Sequence, residues 1–268
     1  MIWKITPLFA EWISSVSANA LWTHPATPLS SHSLRRTTVV ELGCGIAGLL
    51  ALAMGPHVGF YVATDQEYVR RVFRENLEEN KALAYKNSGS GQKGKNGRSG
   101  SGQRSKRSPV KAVKGASASA SASATEEGSN ISFAPFDWES DSPETLKQSV
   151  GIPLTTPETP DCEDKGFDLL FSCDCVYNEA LVAPFVRTCA DICRLRPAYR
   201  PGSDISEPNS DPKPTVCVIA QQQRTPDVFE AWLEETLKVF WVWRLDDAVL
   251  SEGLRAGPGY VVHLLLLR

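Results

Sequence analysis

The sequence predicts a doubly wound α/β sheet of seven strands, on three observations. Strand-like and helix-like stretches alternate along most of the 268 residues. The first strand runs straight into Gly43-Cys44-Gly45-Ile46-Ala47-Gly48 and then an alanine- and leucine-rich stretch. The last two strand-like stretches are joined by a loop rather than a helix, which predicts an antiparallel pair at one edge of the sheet.

Each element has its own signal. Thr37–Cys44 reads as a buried strand, and Ala47–Met54 as a short helix stopped by Gly55-Pro56. Phe60–Asp65 is the second strand. Glu67–Leu83 is a helix with Val69, Val72, Phe73, Leu77 and Leu83 on one side and charges on the other. Ile131–Trp138 alternates as a third strand. Phe167–Tyr177 is mostly apolar, which places a fourth strand at the centre of the sheet. Glu179–Arg196 is the next helix and Val216–Gln221 the fifth strand. Asp227–Phe240 is a helix with Phe229, Trp232, Leu233, Leu237 and Phe240 as its apolar stripe. Trp241–Leu245 and Tyr260–Leu267 bring the strands to seven.

Three insertions interrupt the plan. Residues 86–130 are Gly/Ser/Lys-rich with little to bury and read as a disordered insertion. Residues 140–165 and 197–214, rich in Pro, Ser and Asp, read as surface loops. The alternation resumes after each, so residues 1–268 are expected to form one domain.

Charge is unevenly spread. The net charge is −3, and nine Lys/Arg with no acid fall between Lys86 and Thr125, which leaves −12 for the rest. The folding part is therefore acidic and carries a basic loop. No stretch reaches the roughly 18 apolar residues of a membrane-spanning helix, and the opening residues lack the pattern of a signal peptide. Seven cysteines, an odd set, lie mostly in apolar stretches. Cys189 and Cys193, four apart without a His in range, read as packing rather than as zinc ligands, and no metal is expected. A reduced, cytoplasmic protein fits this pattern, with Ser105-Lys106-Arg107-Ser108-Pro109 as a weak signal for nuclear import. Nothing calls for an obligate dimer, so a monomer is expected.

A strand, a glycine loop and a helix in that order build a nucleotide-type cofactor site at the carboxyl edge of a parallel sheet. Asp65 ends the second strand, 20 residues after Gly45, where a carboxylate can accept hydrogen bonds from ribose hydroxyls. The plain alternative is a helix N-cap. Glu41, two residues before Gly43, would burden a pyrophosphate with a nearby negative charge. The same charge is tolerable beside the ammonium and sulfonium of S-adenosylmethionine, which carries no phosphate, so the pair favours a methyl donor over NAD.

Val39–Gly48 resembles motif I of the class I seven-strand methyltransferases, and Ala63-Thr64-Asp65 its acidic continuation. Four further features resemble methyltransferase family 16, the seven-strand protein-lysine methyltransferases. These are Trp3-Lys4 with Pro7-Leu8, Asn76-Leu77-Glu78-Glu79-Asn80, Phe136-Asp137-Trp138, and Asp174-Cys175-Val176-Tyr177. The last sits where that family carries Asp-x-x-Tyr after the fourth strand. The opening run and Cys175–Glu179 are most similar to the fungal ribosomal-protein branch.

The resemblance implies a Rossmann-like sheet with helices on both faces. It also implies S-adenosyl-L-methionine as cofactor, held by Trp3, Gly43, Cys44, Gly45, Asp65, Trp138 and Cys173. Its implied partner is a ribosomal or translation-related protein presenting a lysine, with no membrane and no direct nucleic-acid contact required.

Methyl transfer to lysine needs a neutral amine, and at a reference pKa near 10.4 only about one in 10³ is neutral at pH 7. Asp174 and Tyr177, three apart and expected within one turn of each other, are the candidate catalytic pair that accepts hydrogen bonds from the amine and aims its lone pair. Asp174 is expected to be exposed, hence an orienting group rather than a strong base; its plain alternative is a helix cap. The absence of prolines from Asp174–Tyr177 argues against planar amide nitrogens and for an aliphatic amine. Two rival functions share some of these features. One is an NAD(P)-dependent oxidoreductase using the glycine loop and Asp65. The other is a non-catalytic RNA- or ribosome-binding module using the basic run Lys93 to Lys114, which has no aromatic residue for base stacking.

Overall fold

The computed structural model describes residues 3–23, 34–87, 129–155, 160–161, 163–201, 213–255 and 257–268. Within them lie the seven expected strands: β1 Thr38–Leu42, β2 Phe60–Asp65, β3 Ile131–Pro135, β4 Leu169–Cys173, β5 Val216–Gln222, β6 Phe240–Arg244 and β7 Tyr260–Leu267. They form one sheet in the order β3-β2-β1-β4-β5-β7-β6. β1 to β5 pair in parallel, and β7 runs antiparallel to both β5 and β6. All eight residues of β7 are buried, whereas β6 grades to exposed at Trp243 and Arg244. The more apolar strand takes the interior position and the more polar one the edge, so the last strand in sequence is not the last in space.

The helices are α1 Ile5–Ser14, α2 Ala20–Thr23, α3 Leu49–Met54, α4 Arg70–Asn87, α5 Leu146–Ser149, α6 Val182–Arg194 and α7 Pro226–Val239. The period-2 alternation of each strand splits its side chains between two cores. Val39, Tyr61, Phe171, Val218 and Val262 pack with α1, α3 and α4, and Val40, Val62, Leu170, Ile219 and Leu265 pack with α6 and α7. α1 is an element that the sequence reading passed over. Its Ile5, Phe9, Trp12 and Ile13 recur at helical spacing and are all buried. The Trp12 indole donates to the Val249 carbonyl at 2.9 Å, which fixes the helix against the loop before β7.

The expected surface loop 140–165 is partly interior. Ser142 caps a 3₁₀ turn over Pro143–Thr145, and Leu146, Val150 and Ile152 then reach the α6 side of the core. Lys147 is buried as well, donating to the Asp164 carbonyl at 2.9 Å and lying 3.3 Å from its carboxylate. A short apolar spacing inside a Pro/Ser-rich stretch was enough to anchor it. Residues 88–128 of the expected disordered insertion, with the basic run Lys93 to Lys114, lie outside the described residues. So do 202–212 of the loop at 197–214, and Cys162.

Candidate active site

The parallel strands deliver the ends of β1, β2, β4 and β5 to one edge of the sheet, and the candidate residues gather there. β1 stops at Leu42 because the chain turns through positive φ at Gly43, Gly45 and Gly48, at 72°, 61° and 59°. A side chain at Gly43 would stand 2.4 Å from the Cys175 sulfur, and one at Gly48 would stand 3.0 Å from the Phe73 ring. These two positions need glycine because protein lies directly against them. Gly45 differs: a side chain there would meet nothing within 4 Å. The open face of the loop is therefore at Gly45.

The loop is tied to β2 and α4. The amides of Gly43 and Cys44 both donate to the Thr64 carbonyl, at 2.9 and 3.0 Å. The Gly45 amide donates to the Asp65 carboxylate at 2.8 Å. On the outer side, the Asn76 amide donates to the Ile46 carbonyl at 2.8 Å, so the Asn76–Asn80 motif serves to hold the glycine loop. Asp65 is partly exposed at the tip of β2. The following 3₁₀ turn has Gln66 at its N-cap position with no side-chain cap, so the alternative of Asp65 as a helix cap does not hold.

Glu41 corrects an expectation. It is 3% exposed, points into the α1 side of the core, and accepts the Tyr61 hydroxyl at 2.8 Å. Burial, with the Asp65 charge nearby as a lesser cause, pushes its pKa up to about 8, so at neutral pH it carries a proton. The argument that a negative Glu41 repels pyrophosphate therefore fails. A different feature replaces it. The amides of Gly43, Cys44 and Gly45 are all spent on β2, so this part of the loop offers no row of N–H groups to a phosphate.

The other expected cofactor residues surround the loop. Trp138 lies beyond the end of β3 rather than within it, its ring 5.2 Å from Phe185 and edge-on, and close to Gly43. Cys44 is partly buried, and Cys173 is buried, its sulfur 3.6 Å from the Thr6 hydroxyl of α1. Burial drives both thiols well above their ordinary pKa, so neither is a reactive thiolate. A glycine face open to a ligand, a carboxylate at the β2 tip, an aromatic wall and neutral thiols fit the sugar, adenine and amino-acid parts of S-adenosylmethionine without phosphate chemistry.

Asp174 departs most from expectation. It is not exposed but 2% accessible, and it holds a positive φ of 61°, the one such non-glycine among the described residues. Its carboxylate accepts Arg224 Nη1 at 2.9 Å, Arg224 Nη2, and the Gln222 amide at 3.2 Å. The next helical segment starts at Glu179, where the sequence places it, and the Asn178 side chain caps its first turn. Residues 174–177 are therefore not one helical turn, and Asn178 has the capping role considered for Asp174. Tyr177 is 59% exposed at the mouth of the site, its ring 6.4 Å from that of Trp3. Trp3 in turn covers the Arg224 guanidinium at 4.4 Å. Arg224 was missed from sequence; its only signal was a lone cation after the fifth strand, at the same sheet edge as Asp174.

Cys189, Cys193 and Cys217 are buried among α6 and β5, with 3.3 Å between the sulfurs of Cys193 and Cys217. This fits packing. No helix among the described residues is long and apolar enough to cross a membrane.

Residues 1–90 match the model of the lysine methyltransferase family. Over 88% of this chain the sequence is 26% identical to ribosomal lysine N-methyltransferase 5 of Zygosaccharomyces rouxii, covering 63% of that protein. Over 90% it is 25% identical to the enzyme of the same name from Lachancea thermotolerans, covering 67% of it. The chain thus spans about two thirds of the length of the curated relatives it matches. Among solved structures it is similar to the N-methyltransferase NodS of Bradyrhizobium japonicum, with a TM-score of 0.45 and 12% identity over 90% of this chain and 81% of that one. The amino-terminal motifs and the glycine loop thus lie in the part of the chain, residues 1–90, that is similar to the lysine methyltransferase family.

Proposed function

We propose that this chain is an S-adenosylmethionine-dependent protein-lysine N-methyltransferase acting on a ribosomal or translation-related protein in the cytoplasm. The observation that carries the reading is the juxtaposition at one sheet edge of two unlike walls. One is the loop around Gly45 with Asp65 and Trp138, suited to the cofactor. The other is Trp3, Tyr177 and the Asp174–Arg224 pair, suited to the side chain of an incoming lysine. The names of the fungal relatives supply the substrate class. The strand order supports this reading over a dinucleotide oxidoreductase, since the common dinucleotide order is 3-2-1-4-5-6 and here an antiparallel β7 separates β5 from β6.

The bound cofactor would supply an electrophilic methyl group on a sulfonium. The chain's part is to present an amine without its proton. Trp3 and Tyr177, both partly exposed, form an aromatic slot that strips water from a lysine side chain and favours its uncharged form. The Tyr177 hydroxyl stands at the mouth, where it can accept a hydrogen bond from the amine and hold the lone pair inward. The departing proton has open solvent at that mouth. Trp138 and Gly43 bound the other side, so reach and alignment rather than acid–base strength set the rate.

The test is transfer of a labelled methyl group from S-adenosylmethionine to the proteins of fungal ribosomes, with the modified residue mapped by fragmentation. Label on the ε-amine of lysine in a protein is the expected result. Label in RNA, on arginine or on glutamine, or no transfer, would overturn the proposal.

A further inference from the structure

The Arg224 guanidinium uses two of its surfaces at once. Its edge makes two parallel hydrogen bonds to the Asp174 carboxylate, and its face lies 4.4 Å from the Trp3 ring. Asp174 follows β4, Arg224 follows β5, and Trp3 precedes α1, so one side chain joins three segments at this edge. The Asp174 carboxylate is buried and held by a residue in a left-handed conformation that disfavours a side chain. Its three hydrogen bonds, from Gln222 at the end of β5 and Arg224 two residues on, oppose that strain. They also cover its oxygens, which places Arg224 and Tyr177, rather than Asp174, next to an incoming side chain.

We propose that Arg224 is the positioning residue of the acceptor site: it clamps Asp174 with its edge and Trp3 with its face, and so builds the lysine slot as a unit. This rests on the lysine methyltransferase reading for its catalytic consequence but not for the clamp itself. The pairing has a chemical purpose in that reaction. A free carboxylate beside the acceptor would stabilise the ammonium form, which has no lone pair to attack with. Paired with Arg224, the carboxylate contributes no net negative charge, and the amine loses its proton more readily. Lysine at position 224 could restore the charge but not the arrangement, because a compact ammonium has neither a planar fork nor a stacking face.

The test compares Arg224→Lys, Asp174→Asn and the double variant in the full chain. Two readouts are used: methyl transfer to ribosomal proteins, and amide exchange over residues 4–14. Arg224→Lys is expected to lower kcat by ten- to a hundredfold while KM for S-adenosylmethionine moves less than threefold. It should speed exchange in the first turns of α1 at least tenfold, and the double variant should be no worse than the poorer single one. A structural defect alone would not separate kcat from KM in this way. Unchanged kcat in Arg224→Lys, or multiplying effects in the double variant, would overturn the proposal. If the wild-type chain transfers no methyl to lysine, the enzymatic reading fails. The exchange measurement then still decides the clamp, which unchanged protection in Arg224→Lys would refute. If Arg224→Lys does not fold, Trp3→Ala breaks only the stacked half, and unaltered exchange there would refute the clamp equally.

Discussion

Gly43 and Gly45 share a left-handed backbone but not an environment, and the difference is measurable. A methyl at Gly43 meets the Cys175 sulfur at 2.4 Å, so Gly43→Ala adds a clash to the backbone penalty. It should cost about 2–4 kcal/mol in denaturant unfolding. Gly45→Ala meets only open space and should cost about 1 kcal/mol, while cofactor affinity falls more than tenfold in a binding titration. Equal losses of stability would contradict this division of roles. Glu41 gives a second prediction at this scale. Its folded pKa is about 8 against an ordinary 4.5, so between those values the folded state holds a proton that the unfolded chain has lost. Stability should therefore fall as pH rises through that window, by about 1.4 kcal/mol per pH unit from this group. Glu41→Gln should remove the slope; parallel wild-type and variant curves of Tm against pH would refute the assignment. The sequence located Gly43, Gly45, Asp65 and Tyr177 at this edge because strand ends and glycines are local signals. Burial of Glu41 and Asp174 depends on Tyr61 and Arg224, which are distant in sequence, and was not legible.

At the level of elements, an ionic cluster ties the start of β4 to the segment after β3. Arg196 follows α6 and is paired with Asp164 and Asp168, each at 2.6 Å, and Asp168 also accepts the Thr38 amide of β1 at 2.6 Å. Lys147 of α5 joins through Asp164. Removing one partner from a buried cluster leaves unpaired charge, so Arg196→Ala should lower stability by about 3 kcal/mol. The cluster lies at the amino edge of the sheet, away from the glycine loop, so S-adenosylmethionine affinity should stay within twofold of wild type. A tenfold loss of affinity would show that the two edges are coupled. Elements with strong periodicity, such as β2, β7 and α7, were legible nearly to their ends. α5 was hidden within a Pro/Ser-rich stretch, and α1 went unread although Ile5, Phe9, Trp12 and Ile13 repeat at helical spacing. Order among strands was partly legible. The missing helix between β6 and β7 implied their antiparallel pairing, but only the burial of all of β7 places it inside β6.

At the scale of the whole molecule, an acidic body carries a basic segment between α4 and β3. None of the residues named in the site above belongs to that segment. Replacing residues 88–126 by a short Gly/Ser linker should leave affinity for S-adenosylmethionine unchanged and remove any salt-sensitive binding to RNA. A large fall in cofactor affinity would show that the segment takes part in the site. The measurement that bears most directly on the central claim is calorimetric titration of S-adenosylmethionine into the purified chain, beside Asp65→Ala and with NADH as competitor. The account predicts micromolar binding of S-adenosylmethionine, at least tenfold weaker in Asp65→Ala and indifferent to NADH. Binding of NADH in its place, or S-adenosylmethionine affinity untouched by loss of the Asp65 carboxylate, would contradict it.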